Sequence, residues 1–275
     1  MIIELVSHST NINPRNRGLN YGDGFFSTGK ISNSKLELID KHLARLETSA
    51  NHLGFTDFDV DQLAEFFTHL SLPLFGVGKI LVTRDGDVRG YGIGQKQTTR
   101  VFIFIEPKES DWFDSSAQRM IICKTNASIN PSLSKIKHLN RLDNVLARNE
   151  VVAQNADEGV MVATKYCEQQ LTPQQFVVSA TQANIFAFID GCFVTPKLEA
   201  YGVQGIIRNL ILENFSDCPV IARDLYLSEL AQADAIVLTN CLRGVVPVNF
   251  LEDKQLIGSE IAESLSTWLN KNKHD

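Results

Sequence analysis

Two lysines, Lys135 and Lys137, lie where a loop turns into an apolar-periodic helix. An extended approach would point both side chains to one face, whereas a helical approach would separate them, so the sequence leaves open which lysine faces inward. Burial lowers the pKa of a lysine amine, and an inward lysine can act as a Schiff-base former and general base. A solvated pair of lysines at a helix end is the structural alternative.

A second group suited to chemistry is the turn Gly205-Ile206-Ile207, which opens a predicted helix. The first backbone N–H groups of a helix have no partner within it, and they bind phosphate at the positive end of the helix dipole. The turn is therefore a candidate phosphate site, with an ordinary glycine turn as the alternative.

The composition favours a small-molecule partner. The chain has 275 residues, 44% of them apolar, and a net charge of −6 without a run of Lys or Arg, which argues against nucleic acid and anionic membranes as partners. The apolar start is too short for a signal peptide and no stretch could span a bilayer, so a cytoplasmic location is expected. Five scattered cysteines without CxxC spacing indicate free thiols and no metal site.

The predicted elements form two domains. Strands and the amphipathic helices Lys41–Leu53 and Val60–Leu70 make an α/β domain over residues 1–107, and the polar stretch 108–117 reads as a connector. Residues 118–275 form the second domain, which begins with a strand, a long loop and a predicted helix, Leu139–Gln154. The Gln-rich stretch Ala163–Gln175 reads as a surface loop.

The segment Ile136-Lys137-His138-Leu139-Asn140-Arg141-Leu142-Asp143 resembles the lysine motif of the aminodeoxychorismate lyases. Other segments follow in the order and spacing of that family across nearly the whole chain, and their collinearity makes the resemblance specific. They are Tyr21–Thr28, His42–Leu46, Arg89–Tyr91, Ala156–Gly159, Ala183–Phe186, Gly205–Arg208 and Val246–Val248.

The resemblance implies a two-domain α+β fold of fold-type IV, with a small N-terminal α/β domain and a larger, barrel-like C-terminal domain. It implies a lyase that uses pyridoxal 5'-phosphate (PLP) to convert 4-amino-4-deoxychorismate into 4-aminobenzoate and pyruvate in folate synthesis. The family is usually homodimeric, with the partner chain completing the cleft between the domains.

The resemblance also assigns residues to the cofactor. Lys137 would hold PLP, and Arg45 would grip its phosphate, for which a guanidinium fork is well suited. The turn Gly205-Ile206-Ile207 would cup the same phosphate, and Asn240 with Cys241 would supply further contacts. Cys241 stands where related aminotransferases often carry a hydroxyl residue.

Three residues are candidates for the reaction and the substrate. Thr28 corresponds to a threonine associated with lyase chemistry in the family, with strand packing as an equal alternative. Arg89 is a candidate for a carboxylate of the dicarboxylate substrate, with a solvated loop arginine as the alternative. Tyr91, two residues later, is a weaker substrate candidate.

The sequence departs from the family at Ser179. Fold-type IV enzymes normally carry a glutamate five residues before Asn184, where it keeps the PLP ring nitrogen protonated, and here that position is Ser179. Either the alignment slips, or Glu168 reaches the ring, or a hydroxyl meets the nitrogen, which is the interpretation favoured here. An unprotonated ring is a weaker electron sink, which favours elimination over transamination.

Two other functions stay open. One is a D-amino-acid or branched-chain aminotransferase of the same fold, which would form a keto acid only when an amino acceptor is supplied. The other is a catalytically impaired paralogue that keeps the scaffold for binding PLP or a protein, which Ser179 would favour.

Overall fold

The computed structural model of the chain describes residues 1–86, 90–111, 118–165, 173–256 and 259–272. The chain divides into two units, Met1–Trp112 with Ile136–Asn140, and Phe113–Lys135 with Arg141–Asp275. Of the predicted connector, residues 108–111 form neither helix nor strand, and residues 112–117 lie outside the described ranges. The domain limits 1–107 and 118–275 stay a prediction.

The first unit is built on one twisted sheet. Its elements are β1 (Ile2–Leu5), α1 (Arg17–Tyr21), β2 (Gly24–Ser32), β3 (Lys35–Leu36), α2 (Ile39–His52), α3 (Val60–His69), β4 (Phe75–Gly86) and β5 (Gln97–Pro107). The strand order is β1-β5-β4-β2-β3, with β1 parallel to β5 and the other neighbours antiparallel.

The core of the first unit covers one face of this sheet. Side chains alternate between the faces of a strand, so Phe25 and Ile31 of β2 point to the same side, where both are fully buried. Leu43 and Leu46 of α2 pack into the same cluster. The α2 helix confirms the predicted helix Lys41–Leu53 to within two residues, and Gly54 follows it with a φ of +68°, as expected of a helix stop.

The segment 136–139 adds to the edge of this sheet beside the start of β2. The N–H of Phe26 donates to the carbonyl of Lys137 at 2.9 Å, and the N–H of Leu139 donates to the carbonyl of Gly24 at 3.0 Å. The predicted helix therefore begins at Leu142 and not at Leu139, because residue 139 is held in an extended pairing.

The second unit contains a longer, curled sheet. Its elements are β6 (Gln118–Asn126), α4 (Leu142–Ala153), β7 (Glu158–Lys165), β8 (Gln174–Ala180), β9 (Asn184–Ile189), β10 (Cys192–Pro196), α5 (Ile206–Asn214), β11 (Val220–Arg223), α6 (Leu227–Leu230), β12 (Ala235–Asn240), β13 (Gly244–Leu251), β14 (Lys254–Gln255) and α7 (Ser259–Asn272).

Its strand order is β11-β10-β9-β12-β13-β6-β7-β8, and β14 pairs with β13. One face of this sheet holds a core that includes Val160, Val177, Ile185 and Leu238, all almost completely buried. The predicted loop Ala163–Gln175 is strand at both ends, in β7 and β8, because residues up to Lys165 and from Gln174 pair with each other, while residues 166–172 lie outside the described ranges.

Within the described ranges, no helix is both long enough and apolar enough to cross a membrane. Of the described cysteines, Cys123 is buried, whereas Cys192, Cys218 and Cys241 are half-buried, and all four are free thiols. Cys167 lies outside the described ranges.

Candidate functional site

The pairing of segment 136–139 with β2 decides where Lys137 points. Residues opposite each other in an antiparallel pair share a face, and Lys137 lies opposite Phe26. The Nζ atom of Lys137 is 4.7 Å from the centroid of the Phe26 ring, which is a favourable cation–π distance. Lys137 is half-buried, whereas Lys135 is exposed. Lys135 belongs to the second unit, where it has a φ of +70° and pairs with Val203. The structure thus presents Lys137 as the inward lysine.

The sheet face that carries Phe26 also carries Thr28 and Lys79. Thr28 lies opposite Lys79 in the register of β2 and β4, and both are half-buried. The Nζ atom of Lys79 is 5.1 Å from the centroid of Phe26 and 5.6 Å from that of Phe104. Burial lowers the pKa of the Lys79 amine. This face therefore combines aromatic rings with two lysines, an arrangement suited to an anionic, partly apolar ligand.

Arg45 belongs to a hydrogen-bonded group on the other face of β2. Its Nη2 donates to the hydroxyl of Ser27, and that hydroxyl lies 2.5 Å from Nδ1 of His42. Ser27 and His42 are each 1% exposed. The pKa of His42 is lowered to about 3, first by burial and then by the charges of Arg45 and Lys137. His42 is therefore neutral at physiological pH.

Tyr91 lies on a loop that is held by a buried arginine. Arg17, 4% exposed, donates to the carbonyls of Gly90, Tyr91 and Gly92 at 2.9 to 3.0 Å and pairs with Asp23 at 2.7 Å. The Tyr91 side chain is 86% exposed, and its ring meets that of Tyr21 at a tilt of 60° with centroids 5.3 Å apart. Sequence reasoning missed Arg17, because an isolated arginine is usually solvated and its spacing carries no signal. Arg89 lies outside the described ranges.

In the second unit, the turn at Gly205 is shaped by Asn184. A Cβ atom on residue 205 would lie 2.0 Å from Oδ1 of Asn184, so only glycine fits there. The Asn184 amide donates to the carbonyl of Val203 at 2.9 Å, which fixes the approach to the turn. Helix α5 begins at Ile206 without a side-chain cap, and Ile206 and Ile207 are buried. The start of α5 thus leaves backbone donors for a ligand.

The end of β12 carries a buried hydroxyl that the sequence did not reveal. Thr239 is 1% exposed and lies opposite Asn184, and its Oγ1 has no hydrogen-bond partner among the described residues. Asn240 follows, and its side-chain oxygen accepts from the N–H groups of Leu242 and Arg243 at 3.0 and 2.9 Å, which shapes the turn. Cys241 is half-buried in that turn. An unsatisfied buried hydroxyl is costly, which points to a missing polar partner.

Ser179 lies half-buried on β8, opposite Met161. A neighbouring acid, Glu158, is 2% exposed and is committed elsewhere: it accepts from the Thr181 hydroxyl and from the N–H groups of Gly159 and Thr181 at 3.0 and 3.1 Å. Glu168, the alternative acid, lies outside the described ranges.

Each unit by itself supplies groups that fit PLP. The first unit offers a half-buried lysine amine for an aldehyde and an arginine for a phosphate. The second offers the uncapped start of α5 and the orphaned Thr239 hydroxyl, both of which suit phosphate oxygens. The donor set therefore agrees with a phosphorylated aldehyde.

Comparison with known proteins gives one family. The model of the family described as amino-transferase class IV matches residues 24–250. An aminodeoxychorismate lyase of Vibrio harveyi is 30% identical over 85% of this chain and 84% of its own length. A D-alanine aminotransferase of Bacillus licheniformis is 24% identical over 88% of this chain and 83% of its own length.

Solved structures agree in fold. The 4-amino-4-deoxychorismate lyase from Pseudomonas aeruginosa superposes with a TM-score of 0.83 at 30% identity, covering 96% of both chains. The branched-chain amino acid aminotransferase of Escherichia coli superposes with a TM-score of 0.79 at 18% identity, covering 95% of this chain and 89% of its own. The α+β fold predicted from the sequence is thereby confirmed.

Proposed function

The chain belongs to the amino-transferase class IV family, and from that membership we propose that it is a PLP-dependent lyase which converts 4-amino-4-deoxychorismate into 4-aminobenzoate and pyruvate. The observation that carries the proposal is the position of Lys137, held half-buried against Phe26 by the pairing of segment 136–139 with β2. The choice of the lyase reaction is supported by the 30% identity to the Vibrio harveyi enzyme, against 24% to the D-alanine aminotransferase.

PLP, when bound, supplies an aldehyde that takes up the substrate amine and a conjugated ring that accepts electrons. Lys137 would hold the cofactor through its side-chain amine, and that amine would be free to act as a base once the substrate is bound. We place Arg45 on the cofactor phosphate together with the backbone of Gly205, Ile206 and Ile207. Asn240 and Cys241 are proposed as further contacts from the turn after β12, although the Asn240 oxygen already accepts two hydrogen bonds.

The displaced Lys137 amine acts as the base in this proposal. It removes the proton from the ring carbon that bears the substrate nitrogen, and the electrons of that C–H bond expel the enolpyruvyl oxygen as the ring becomes aromatic. Lys137 or the Thr28 hydroxyl then returns a proton to the departing group, which becomes pyruvate. Thr28 lies on the same sheet face as Phe26, which supports its role beside Lys137.

The substrate carries two carboxylates, and Arg89 and Tyr91 are proposed to bind it. Arg17 binds the carbonyls of Gly90, Tyr91 and Gly92, which supports a defined position for Tyr91. For the cofactor ring nitrogen we propose the Ser179 hydroxyl. A neutral hydrogen bond leaves the ring unprotonated, and elimination tolerates this better because aromatisation of the product drives it.

An aminotransferase is the second candidate, supported by the similarity to D-alanine aminotransferases. An impaired PLP-binding paralogue is the third, supported by Ser179. We further propose that the protein is cytoplasmic and forms a homodimer. Light scattering of the purified protein would test the dimer.

The function is tested with purified protein and added PLP. Wild-type protein should acquire a visible absorbance band and release 4-aminobenzoate and pyruvate in equal amounts from 4-amino-4-deoxychorismate. Lys137→Ala should lose the band and about 10³-fold or more of the rate, because it removes both the attachment point and the base. Lys135→Ala is the matched control, since that side chain is exposed, and it should keep both properties.

Three outcomes separate the candidates. Keto acid formed only with an amino acceptor would favour the aminotransferase. A coloured protein that bleaches with substrate but releases no product would favour the paralogue. Full activity in Lys137→Ala would contradict the proposed mechanism.

A further inference from the structure

The hydroxyl of Ser27 lies between His42 and Arg45, inside the first unit. His42 and Arg45 are one helical turn apart on α2 and present their side chains to the inner face of β2. The Ser27 oxygen accepts a hydrogen bond from Nη2 of Arg45 and lies 2.5 Å from Nδ1 of His42. A single buried hydroxyl thus connects the imidazole to the guanidinium.

The chemistry of the three groups fixes the direction of this chain. A guanidinium can only donate hydrogen bonds, so the Ser27 oxygen is the acceptor of Arg45 and its own proton is available for His42. A neutral imidazole accepts that proton at Nδ1 when its ring proton is on Nε2. Burial, followed by the charges of Arg45 and Lys137, lowers the pKa of His42 to about 3, so the imidazole remains neutral at physiological pH. Protons therefore point from Arg45 to Ser27 and from Ser27 to His42.

The packing of His42 keeps this chain of hydrogen bonds from reversing its direction. Its Nε2 lies against the backbone of Gly29, where an added Cβ atom would be only 2.6 Å away. Among the described residues Nε2 has no hydrogen-bond partner. The imidazole is thus confined by the strand on one side and bonded on the other, and it offers Ser27 a fixed acceptor.

We infer that Ser27 and His42 are positioning residues that set the plane of the Arg45 guanidinium for the phosphate of the cofactor. This inference rests on the proposed function, in which Arg45 binds that phosphate. A guanidinium is planar and rigid, so anchoring one of its nitrogens sets the direction of its remaining N–H groups. A hydroxyl provides the anchor without cancelling the positive charge, which a carboxylate at the same place would do.

The test compares PLP with pyridoxal, which has the same aldehyde but no phosphate. The dissociation constant of each is measured from the visible absorbance of the purified protein during titration. Ser27→Ala should raise the dissociation constant for PLP about tenfold, the loss expected from one misplaced charge-assisted hydrogen bond, and change that for pyridoxal less than about twofold. Ser27→Thr, which keeps the hydroxyl, should restore the affinity for PLP.

Two further variants guard the interpretation. Ser49→Ala is the matched control, because Ser49 carries a buried hydroxyl on α2, the helix that also carries Arg45. This hydroxyl donates at 2.8 Å to the backbone carbonyl of Arg45 and not to its side chain. It should leave the ratio of the two affinities unchanged. If Ser27→Ala alone does not fold, the double variant Ser27→Ala with His42→Leu removes both ends of the Ser27–His42 bond. No imidazole is then left buried without its partner, while Arg45 still loses its anchor.

The possible results are distinguishable. Wild-type affinity for PLP in Ser27→Ala or in the double variant would overturn the inference and leave the proposed function intact. Equal losses for PLP and pyridoxal would show a merely structural role, and would overturn it too. Wild-type protein that binds PLP no better than pyridoxal would overturn both the inference and the role of Arg45.

Discussion

A Cβ atom on Gly29 would lie 2.6 Å from Nε2 of His42, so the imidazole occupies the space that any larger residue at position 29 would need. Glycine is therefore needed at this position because a neighbouring side chain fills the space, and not because the backbone has an unusual φ. The contact couples the middle of β2 to helix α2, and through Ser27 it reaches Arg45.

Gly29→Ala should lower the free energy of unfolding by about 1 to 3 kcal/mol, the usual cost of overpacking a filled core. Urea denaturation of purified protein measures this. Gly78→Ala is the control, because Gly78 lies opposite Gly29 in the strand register and its nearest neighbours are ends of flexible side chains. An equal loss in both variants would mean that His42 is not the cause.

His42 should make the protein less stable in acid. The pKa of His42 is about 3 in the folded chain and near 6.5 when unfolded, so below pH 6.5 the unfolded state binds the proton and the folded state does not. Stability should then fall by about 1.4 kcal/mol for each pH unit between roughly 6.5 and 3, and be unaffected by this group above 6.5.

The measurement for His42 is urea denaturation at several pH values in wild-type protein and in His42→Asn, whose amide does not titrate. The free energy of unfolding of wild-type protein minus that of His42→Asn should decrease as the pH falls through this window. A difference that stays constant from pH 7 to pH 4 would show that His42 takes up its proton at the same pH in the folded and the unfolded protein.

Arg17→Lys should loosen the loop at Gly90, Tyr91 and Gly92. Lysine keeps the charge but cannot donate to three carbonyls and Asp23 at once, so we expect a loss of about 2 to 3 kcal/mol in unfolding free energy. The KM for the substrate should rise while the affinity for PLP is retained, as steady-state kinetics and titration will show.

The matched control for Arg17 is Arg223→Lys. Its ion pair with Glu229 is partly exposed and should contribute at most about 1 kcal/mol. An unchanged KM in Arg17→Lys would argue against a role of the loop in binding the substrate.

Ser179→Glu should move the enzyme toward transamination, because Ser179 is the residue proposed to meet the ring nitrogen of the cofactor. A carboxylate at the ring nitrogen stabilises its protonated form and makes PLP a stronger electron sink. The rate of keto acid formation from D-alanine should rise about tenfold, the equivalent of one charge-assisted hydrogen bond, while pyruvate release from aminodeoxychorismate changes less. Ser179→Gln has nearly the same size without the charge and should show no gain. A gain in the Gln variant, or none in either, would place the ring nitrogen elsewhere.

The motif segments predicted more of the site than periodicity did. Spacing placed Arg45 on a helix and Gly205 at the start of another, and both placements are confirmed because each depends on contacts near in sequence. The edge pairing of segment 136–139 could not be predicted, because it depends on strand β2, more than 100 residues earlier. That pairing explains why the helix after Lys137 begins three residues later than its apolar pattern indicates.

Arg17, Thr239 and the role of Ser27 were also beyond the reach of the sequence. An arginine, a threonine and a serine are common and usually solvated, and no spacing rule marks the few that become buried. Only the tertiary structure shows that Arg17 is surrounded by carbonyls and that Ser27 lies between two basic side chains.

Residues 136–140 belong to the first unit, although the chain before and after them belongs to the second. A contiguous fragment that ends near residue 112 would therefore lack one edge of its own sheet and the proposed reactive amine. Chimeras that exchange the N-terminal half between relatives should keep these five residues matched to the β2 strand they accompany. Recombination within this family is thus expected to be tolerated only where β2 and residues 136–140 come from the same parent.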